Sequence, residues 1–543
     1  MTSLTTHSPW WKTGVIYQIY PRSFYDANGD GIGDLQGIMH RLDYIQWLGV
    51  RAIWISPFYP SPMADFGYDI ANYTDIDPLF GTMDDFEQLL QGAHQRGLKV
   101  ILDFVPNHTS DLHPWFVESK SSKASAKRDW YIWQDGKPDG GEPNNWKSVF
   151  GGSAWEWDAH TRQYYYHGFL KEQPDLNWRN EAVQEAMYDV MRFWLDKGVD
   201  GFRVDVMWHL IKDAQLRDNP VNPDYTESQP TYDQLLPVYS TDQPEVHAIV
   251  ARMREVTDAY DERVLIGEVY LPIQQLMTYY GAQNDGAHMP FNFLLVRLPW
   301  QAQEIAAAID QYEGALPANG WPNWVLGNHD NPRIVSRVGE SQARVAAMLL
   351  LTLRGTPTLY YGDEIGMRDV AIPAEEMQDP QGLNMPEKDL SRDPCRTPMQ
   401  WSGEAHAGFS TAKPWLRVDK RYRRVNVERQ RDDPFSMLSL HRKLIELRNS
   451  EPALNQGSYT PLFSNDQVIV YRRDSPDGDS FLVVLNLTSR PCRYRQSQQP
   501  YLHGQVVVAT SPEMEDTIIS ENIYLNGDEG IVVRLEHRDD ATT

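Results

Sequence analysis

The sequence predicts an α/β protein built on a (β/α)8 barrel, with an insertion after the third strand and a small antiparallel β domain at the C-terminus. Three observations carry this expectation. Four apolar runs, at residues 101–108, 201–206, 265–268 and 325–330, each end in acids, Asn or His. Polar residues at the C-terminal ends of successive strands are how a parallel barrel assembles a site on one face. Between the runs, apolar residues recur at helical spacing, as in Leu35, Ile38, Leu42, Ile45 and Leu48. From about Tyr459 the pattern changes to short strands and turns, at 468–471, 481–485, 506–509 and 531–535.

In chain order, residues 14–24 are expected to form strand one. The loop Asp26-Ala27-Asn28-Gly29-Asp30-Gly31-Ile32-Gly33-Asp34 sets oxygen side chains at alternate positions, with glycines for the turn. Such a loop can wrap a hard cation, although Gly37 stands at the twelfth position, where an EF-hand has its bidentate Glu. An unrelated acidic turn is the plainer alternative. Helix one then covers 35–48, and strand two covers 52–57. Thr82 and Asp85 predict a capping box for helix two, which ends at Gly97. Strand three, 98–104, delivers Asp103, Asn107 and His108.

From about 109 to 175 the helix–strand alternation lapses into a stretch rich in Trp, Pro, Gly and Lys. Val183, Met187, Val190, Met191 and Trp194 mark the buried stripe of the helix before strand four. Residues 213–243 are polar and Pro-rich, a long loop expected to reach over the site. A helix at 245–260 precedes strand five with Glu268. Strand six is expected at 289–295, strand seven delivers His329 and Asp330, and strand eight covers 356–366. Asp363 and Glu364 read as structural acids.

The 543 residues are too many for one core. A net charge of −25 argues against nucleic acid and anionic membranes and suits neutral ligands. The 18 Trp and 28 Tyr would include faces for sugar rings, although core is the better reading for most of them. Two cysteines, Cys395 and Cys492, fit free thiols in a reducing cytoplasm. Residues 1–14 hold no apolar signal core, and the longest apolar run, 345–353, is too short to span a bilayer. A cytoplasmic location is therefore expected.

Arg203 and Asp205, two residues apart on a strand, point to the same side. Alone they would read as a buried ion pair; with the other three strand ends they read as a site. With these motifs the chain resembles the α-amylase clan of retaining glycoside hydrolases, and within it the maltase and oligo-1,6-glucosidase branch. The resemblance runs from Val15-Ile16-Tyr17-Gln18-Ile19-Tyr20-Pro21 to the C-terminal β region. It implies domain A at 1–108 and 178–457, domain B at 109–177 ending in Gln173-Pro174-Asp175-Leu176-Asn177, and domain C at 458–543.

The resemblance further implies Asp205 as nucleophile, Glu268 as acid/base, and Asp330 as the group that bonds the 2- and 3-hydroxyls. Retention needs two close carboxyls. Arg203 would keep Asp205 ionised, and a less polar setting would keep Glu268 protonated. His108 and His329 would hold hydroxyls, and Tyr68 and Asp69 would line the pocket of the terminal glucose. The pocket arginine is Arg392, with Arg396 as the alternative. Phe150 and Phe169 would be aromatic walls, against the alternative of a domain B core. Structural Ca²⁺ (or Mg²⁺) would sit on Asp26, Asn28, Asp30, the Ile32 carbonyl and Asp34. Val206 would flank the leaving sugar; in this branch Val accompanies α-1,6 preference, and smaller or polar residues accompany α-1,4.

The implied activity is release of glucose from the non-reducing end of short α-glucosides through a covalent β-glucosyl-enzyme. A transglucosylase or sugar isomerase is the alternative on the same intermediate. A non-catalytic binding module would need lost acids and a membrane anchor. The expected partner is a small oligosaccharide, with the protein a monomer or homodimer.

Overall fold

The structure is a computed structural model that describes residues 8–476, 478–496 and 502–536. Residues 1–7, part of the segment read above as lacking a signal, lie outside it. Among the described residues, eight short parallel strands form the central sheet: Ile16–Ile19, Ala52–Ile55, Lys99–Phe104, Gly201–Val204, Val264–Gly267, Met289–Pro290, Asn323–Val325 and Thr356–Tyr360. The eighth strand pairs with both the first and the seventh. A single parallel bridge, Asn292 to Trp324, completes the ring between the sixth and seventh.

The strands are apolar on both faces, as a parallel sheet enclosed by helices requires. Ile16, Ala52, Trp54, Ile101, Val264, Ile266 and Met289 form one cluster; their neighbours Tyr17, Ile53, Leu102, Phe202 and Leu265 belong to the larger core. That split follows the two-residue period of a strand. Gly201 is demanded by close approach: a Cβ there would stand 2.3 Å from the Val264 carbonyl oxygen.

Several expected elements are shorter than their apolar runs. The first strand stops at Ile19, where Pro21 opens a 3-10 turn. The expected single helix at 35–48 is two, Leu35–His40 and Leu42–Leu48. They break at Arg41, whose guanidinium lies over the Tyr25 ring (4.1 Å) and the Trp401 ring (4.3 Å). The expected strand at 289–295 has two residues, followed by a helical turn, Leu294–Arg297. The Thr82–Asp85 capping box is present.

Between the third and fourth strands, a helix (Pro114–Lys120) and a three-stranded antiparallel sheet form a separate lobe around Trp146, Trp155 and Tyr166. The long loop 213–243 is fastened to this lobe. Asn145 exchanges bonds with Asn219, and the Trp146 indole donates to the Arg217 carbonyl. Beyond the barrel, a six-stranded antiparallel sheet begins at Ser458–Ser464 and carries its own apolar layer. Both cysteines are free thiols. No helix of the described residues is long and apolar enough to cross a membrane.

Candidate active site

Three neighbouring strands each bring one carboxylate to one guanidinium. Arg203 Nη1 donates to Asp103 (2.8 Å) and Asp205 (2.6 Å), and Nη2 meets Glu268 Oε2 at 2.7 Å. Asp205 lies one residue past its strand, held by its N–H to the Phe104 carbonyl. Asp103 is further satisfied by Tyr68 Oη and the Trp54 indole.

Burial raises all three carboxyl pKa values above the usual carboxylate range, Asp205 most plainly, with Arg203 opposing. One fixed positive charge faces three buried carboxyls, so the three titrate as a coupled group. This corrects one expectation. Arg203 does not by itself keep Asp205 ionised, because burial and Glu268 act against it. The Glu268 pKa is raised by burial, as expected, although Glu268 shares that guanidinium.

Val206, directly after Asp205, adopts φ 38° and ψ 46°. For a β-branched residue this left-handed conformation is a strained outlier, costing about 1–3 kcal/mol. It turns the Val206 N–H onto Glu268 Oε2 at 2.8 Å. Val206 therefore lines the pocket and also holds the Glu268 carboxylate with its backbone, and only the first was expected.

These groups open into a cavity of about 510 Å³ whose lining includes Tyr68, His108, Phe150, Phe169, His329 and Arg392. One end is polar and closed. Asp330 accepts from Arg392 (3.2 Å) and Arg396 (3.0 Å) and lies 3.3 Å from His329 Nε2. Burial opposes ionisation, yet His329 and the two arginines hold the Asp330 carboxyl well below its usual pKa. Tyr68 stacks on His329, their rings 5.3 Å apart, and its hydroxyl meets His329 Nε2 at 2.7 Å. Burial lowers His108 to about 4 and, against the pull of Asp330, lowers His329 further.

Arg392 faces the cavity. Arg396, fully buried, bonds the His329 carbonyl (2.7 Å) and backs Asp330. Arg392 thus lines the cavity and Arg396 stands behind it. Phe150 lies under Arg392 (4.8 Å) and edge-on to Phe169 (5.7 Å).

Asp69 does not reach the cavity. Its carboxylate turns into its own loop and accepts from Ser61 Oγ, Ala64 N and Asp65 N at 2.8–2.9 Å. Asp65, which sequence reasoning missed, lines the cavity and pairs with Arg392 at 2.7 Å. Glu364 accepts from Tyr17 and Tyr44 and Asp363 pairs with Arg333, so both are structural as expected.

Behind His108 lies a buried cation. Lys212 Nζ pairs with Asp175 and donates to Asn107 Oδ1 (2.8 Å); Asn107 donates to Asp175 (2.8 Å) and contacts His108 Nδ1 (3.1 Å). This network ties the third strand, the inserted lobe and the stretch after Asp205 together.

In the 26–34 loop the oxygens face the loop's own amides. Asp26 accepts from Gly29 and Gly31, Asn28 from Asp30, Asp30 from Ile32, and Asp34 from Ala27 and Gly37. Among the described residues no three His, Cys, Asp or Glu side chains are grouped to hold an ion. The oxygen-only donor set still suits a hard cation.

A parallel barrel with strand-end acids at the base of a pocket, polar at one end and aromatic along its walls, defines an enzyme that works on sugar glycosides. Residues 18–457 match the Alpha-amylase family (alpha amylase, catalytic domain), and the chain belongs to that family. It is 45% identical to a probable alpha-glucosidase of Rhizobium meliloti (strain 1021), covering 82% of this chain and 84% of that protein. It is 41% identical to an oligo-1,6-glucosidase of Heyndrickxia coagulans, covering 90% and 94%. Among solved structures, the alpha-glucosyl transfer enzyme XgtA matches with TM-score 0.92 at 39% identity, over 97% of this chain and 100% of that one. The trehalulose synthase MutB from Pseudomonas mesoacidophila MX-45 matches with TM-score 0.89 at 37% identity, over 97% and 100%.

Proposed function

We propose that the protein is an exo-acting, retaining α-glucosidase that removes glucose from the non-reducing end of short α-glucosides. The observation that carries this reading is the pair Asp205 and Glu268, held on adjacent nitrogens of one guanidinium in a pocket closed behind by Asp65 and Arg392. Two carboxyls drawn together in this way suit double displacement, which uses a separation of about 5–5.5 Å. The buried Asp65–Arg392 pair across that end favours a terminal sugar over a chain continuing through.

Asp65, Arg392, His108, His329 and Tyr68 hold the glucose. Glu268 gives its proton to the glycosidic oxygen while Asp205 attacks the anomeric carbon. The bond to the leaving sugar breaks, and a β-glucosyl ester forms. Asp330, ionised, bonds the 2- and 3-hydroxyls and steadies the oxocarbenium-like transition state. Glu268, now a base, takes a proton from the water that attacks the ester, and α-glucose leaves.

Release of p-nitrophenol from p-nitrophenyl α-glucoside tests the reading, with proton NMR to show that α-glucose appears first. Asp205→Asn is expected to lower turnover by roughly a thousandfold or more in a folded protein. Substantial residual activity would refute the assignment.

A second reading, transfer of the glucosyl group to an acceptor sugar, is supported by the aromatic half of the cavity, where Trp208, Tyr232 and Tyr270 can seat one. It also draws support from the likeness to XgtA and MutB. Product analysis at high sucrose separates hydrolysis from transfer and isomerisation. On linkage, Val206 leans the proposal towards isomaltose-type substrates, with maltose and sucrose also used.

Structural Ca²⁺ in the 26–34 loop, with Mg²⁺ as the alternative, is part of the proposal; its support is the oxygen-only donor set. EDTA would then lower the melting temperature, and metal analysis of the purified protein would identify the ion. A cytoplasmic, monomeric or homodimeric protein completes the proposal, checked by cell fractionation and light scattering.

A further inference from the structure

The closed end of the cavity forces any longer substrate to extend outward past its second sugar. The outer half is bounded on one side by the loop 213–243, through Pro230, Tyr232 and Asp233, and on another by Gln381 from the segment after the eighth strand. These two walls are joined. Lys388, seven residues after Gln381, donates from Nζ to the Glu227 main-chain carbonyl and lies 3.5 Å from the Glu227 carboxylate. The lysine side chain is 8% exposed, whereas that of Glu227 is 90% exposed, so the contact forms the outer lip of the join.

Beneath it, Met385 is buried and meets both other walls. Thr231 Oγ1 reaches its sulfur at 3.7 Å, and a Cβ on Gly151, next to Phe150, would stand 2.9 Å from its Cγ. Inserted lobe, long loop and post-barrel segment thus close on one side of the mouth.

We propose that Lys388 is a specificity-determining residue: by clasping Glu227 it shuts one side of the mouth and restricts the enzyme to short substrates. The proposal rests on the glucosidase reading above. Neither residue touches the glucose end, so the clasp acts on chain length and leaves the chemistry alone. An ion pair to a carboxylate as exposed as that of Glu227 is weak; the main-chain bond supplies the rest of the hold.

The test compares wild type, Lys388→Ala and Glu227→Gln on p-nitrophenyl α-glucoside, maltose and maltotetraose, or on isomaltose and isomaltotetraose if the wild type favours α-1,6. Lys388→Ala is expected to raise the ratio of kcat/KM for the tetrasaccharide over the disaccharide about three- to fivefold, the scale of one exposed charged contact. Its kcat/KM on p-nitrophenyl α-glucoside stays at the wild-type value. Glu227→Gln, which keeps the carbonyl, moves the ratio less. An unchanged ratio in Lys388→Ala, a parallel loss on p-nitrophenyl α-glucoside, or a larger effect from Glu227→Gln overturns the proposal. A wild type inactive on p-nitrophenyl α-glucoside would instead overturn the glucosidase reading.

Discussion

Replacing Lys212 by Met should loosen the inserted lobe more than any surface change. Lys212 is 2% exposed and its partner Asp175 is fully buried. The methionine keeps the length and apolar stem but removes the charge. Asp175 is then left with the Gly168 N–H (2.7 Å) and the Asn107 amide (2.8 Å) as its remaining donors. Breaking one half of a buried pair costs about 3–5 kcal/mol. The two surviving hydrogen bonds favour the lower end, and loss of the donor to Asn107 Oδ1 pushes upward by about 1 kcal/mol. The expected loss is therefore about 4 kcal/mol in urea denaturation followed by tryptophan fluorescence. Adding Asp175→Leu removes the stranded charge, and the double variant should recover most of the loss. A single variant within about 1 kcal/mol of wild type, or a double variant no better than the single, would refute the reasoning.

Other outcomes follow from the same geometry. Glu268→Gln should slow alkyl α-glucosides far more than activated aryl ones, because only the former need the leaving oxygen protonated; equal losses in kcat/KM would count against Glu268 as the acid. Val206→Thr keeps a β-branched residue in the strained backbone position and should raise the maltose-to-isomaltose ratio of kcat/KM by up to about tenfold. A steady ratio would assign linkage to the loop 213–243.

Buried neutral histidines should pull stability down on acidification below about pH 6.5, against the raised buried carboxyls, which pull it up. His108 is lowered to about 4 and His209 to about 3, chiefly by burial. Below 6.5 the unfolded chain takes up protons that the folded one refuses. Their contribution is thus complete above pH 6.5 and shrinks as pH drops towards 4. Urea midpoints of wild type and His209→Gln at pH 7, 6 and 5 isolate this contribution, and an equal slope in the two proteins would contradict it.

The acids were legible because strand ends are. A short apolar run that stops at a carboxylate announces both the strand and the side chain it presents, which is why Asp205 and Glu268 stand out in the sequence. Asp65 was not, because a single Asp in the loop Ser61-Pro62-Met63-Ala64-Asp65 gives no local sign of a partner more than three hundred residues away. Tyr68 and Asp69 looked alike as neighbours in one tripeptide, but consecutive side chains leave an irregular loop in different directions, and only Tyr68 meets the cavity. The left-handed backbone of Val206 was invisible for the opposite reason: valine is a residue one would not expect there. Strand ends were overread wherever apolar residues continued past the last ladder bond, as they do after Ile19 and Pro290.

The ring of strands is also unevenly stitched. The first five strands are paired over four residues at each junction. The sixth is paired over two residues with the fifth and meets the seventh at one bridge. That side is the barrel's seam, where local opening costs least. Tyr270, Arg297 and Asn331 stand above it and line the half of the cavity that faces the departing sugar. Tyr68, His108 and Asp205 reach the cavity from the tightly sewn strands, and the outer part of the cavity rests on the side that can give. One barrel can in this way be strict about the sugar it removes and tolerant about what it removes it from.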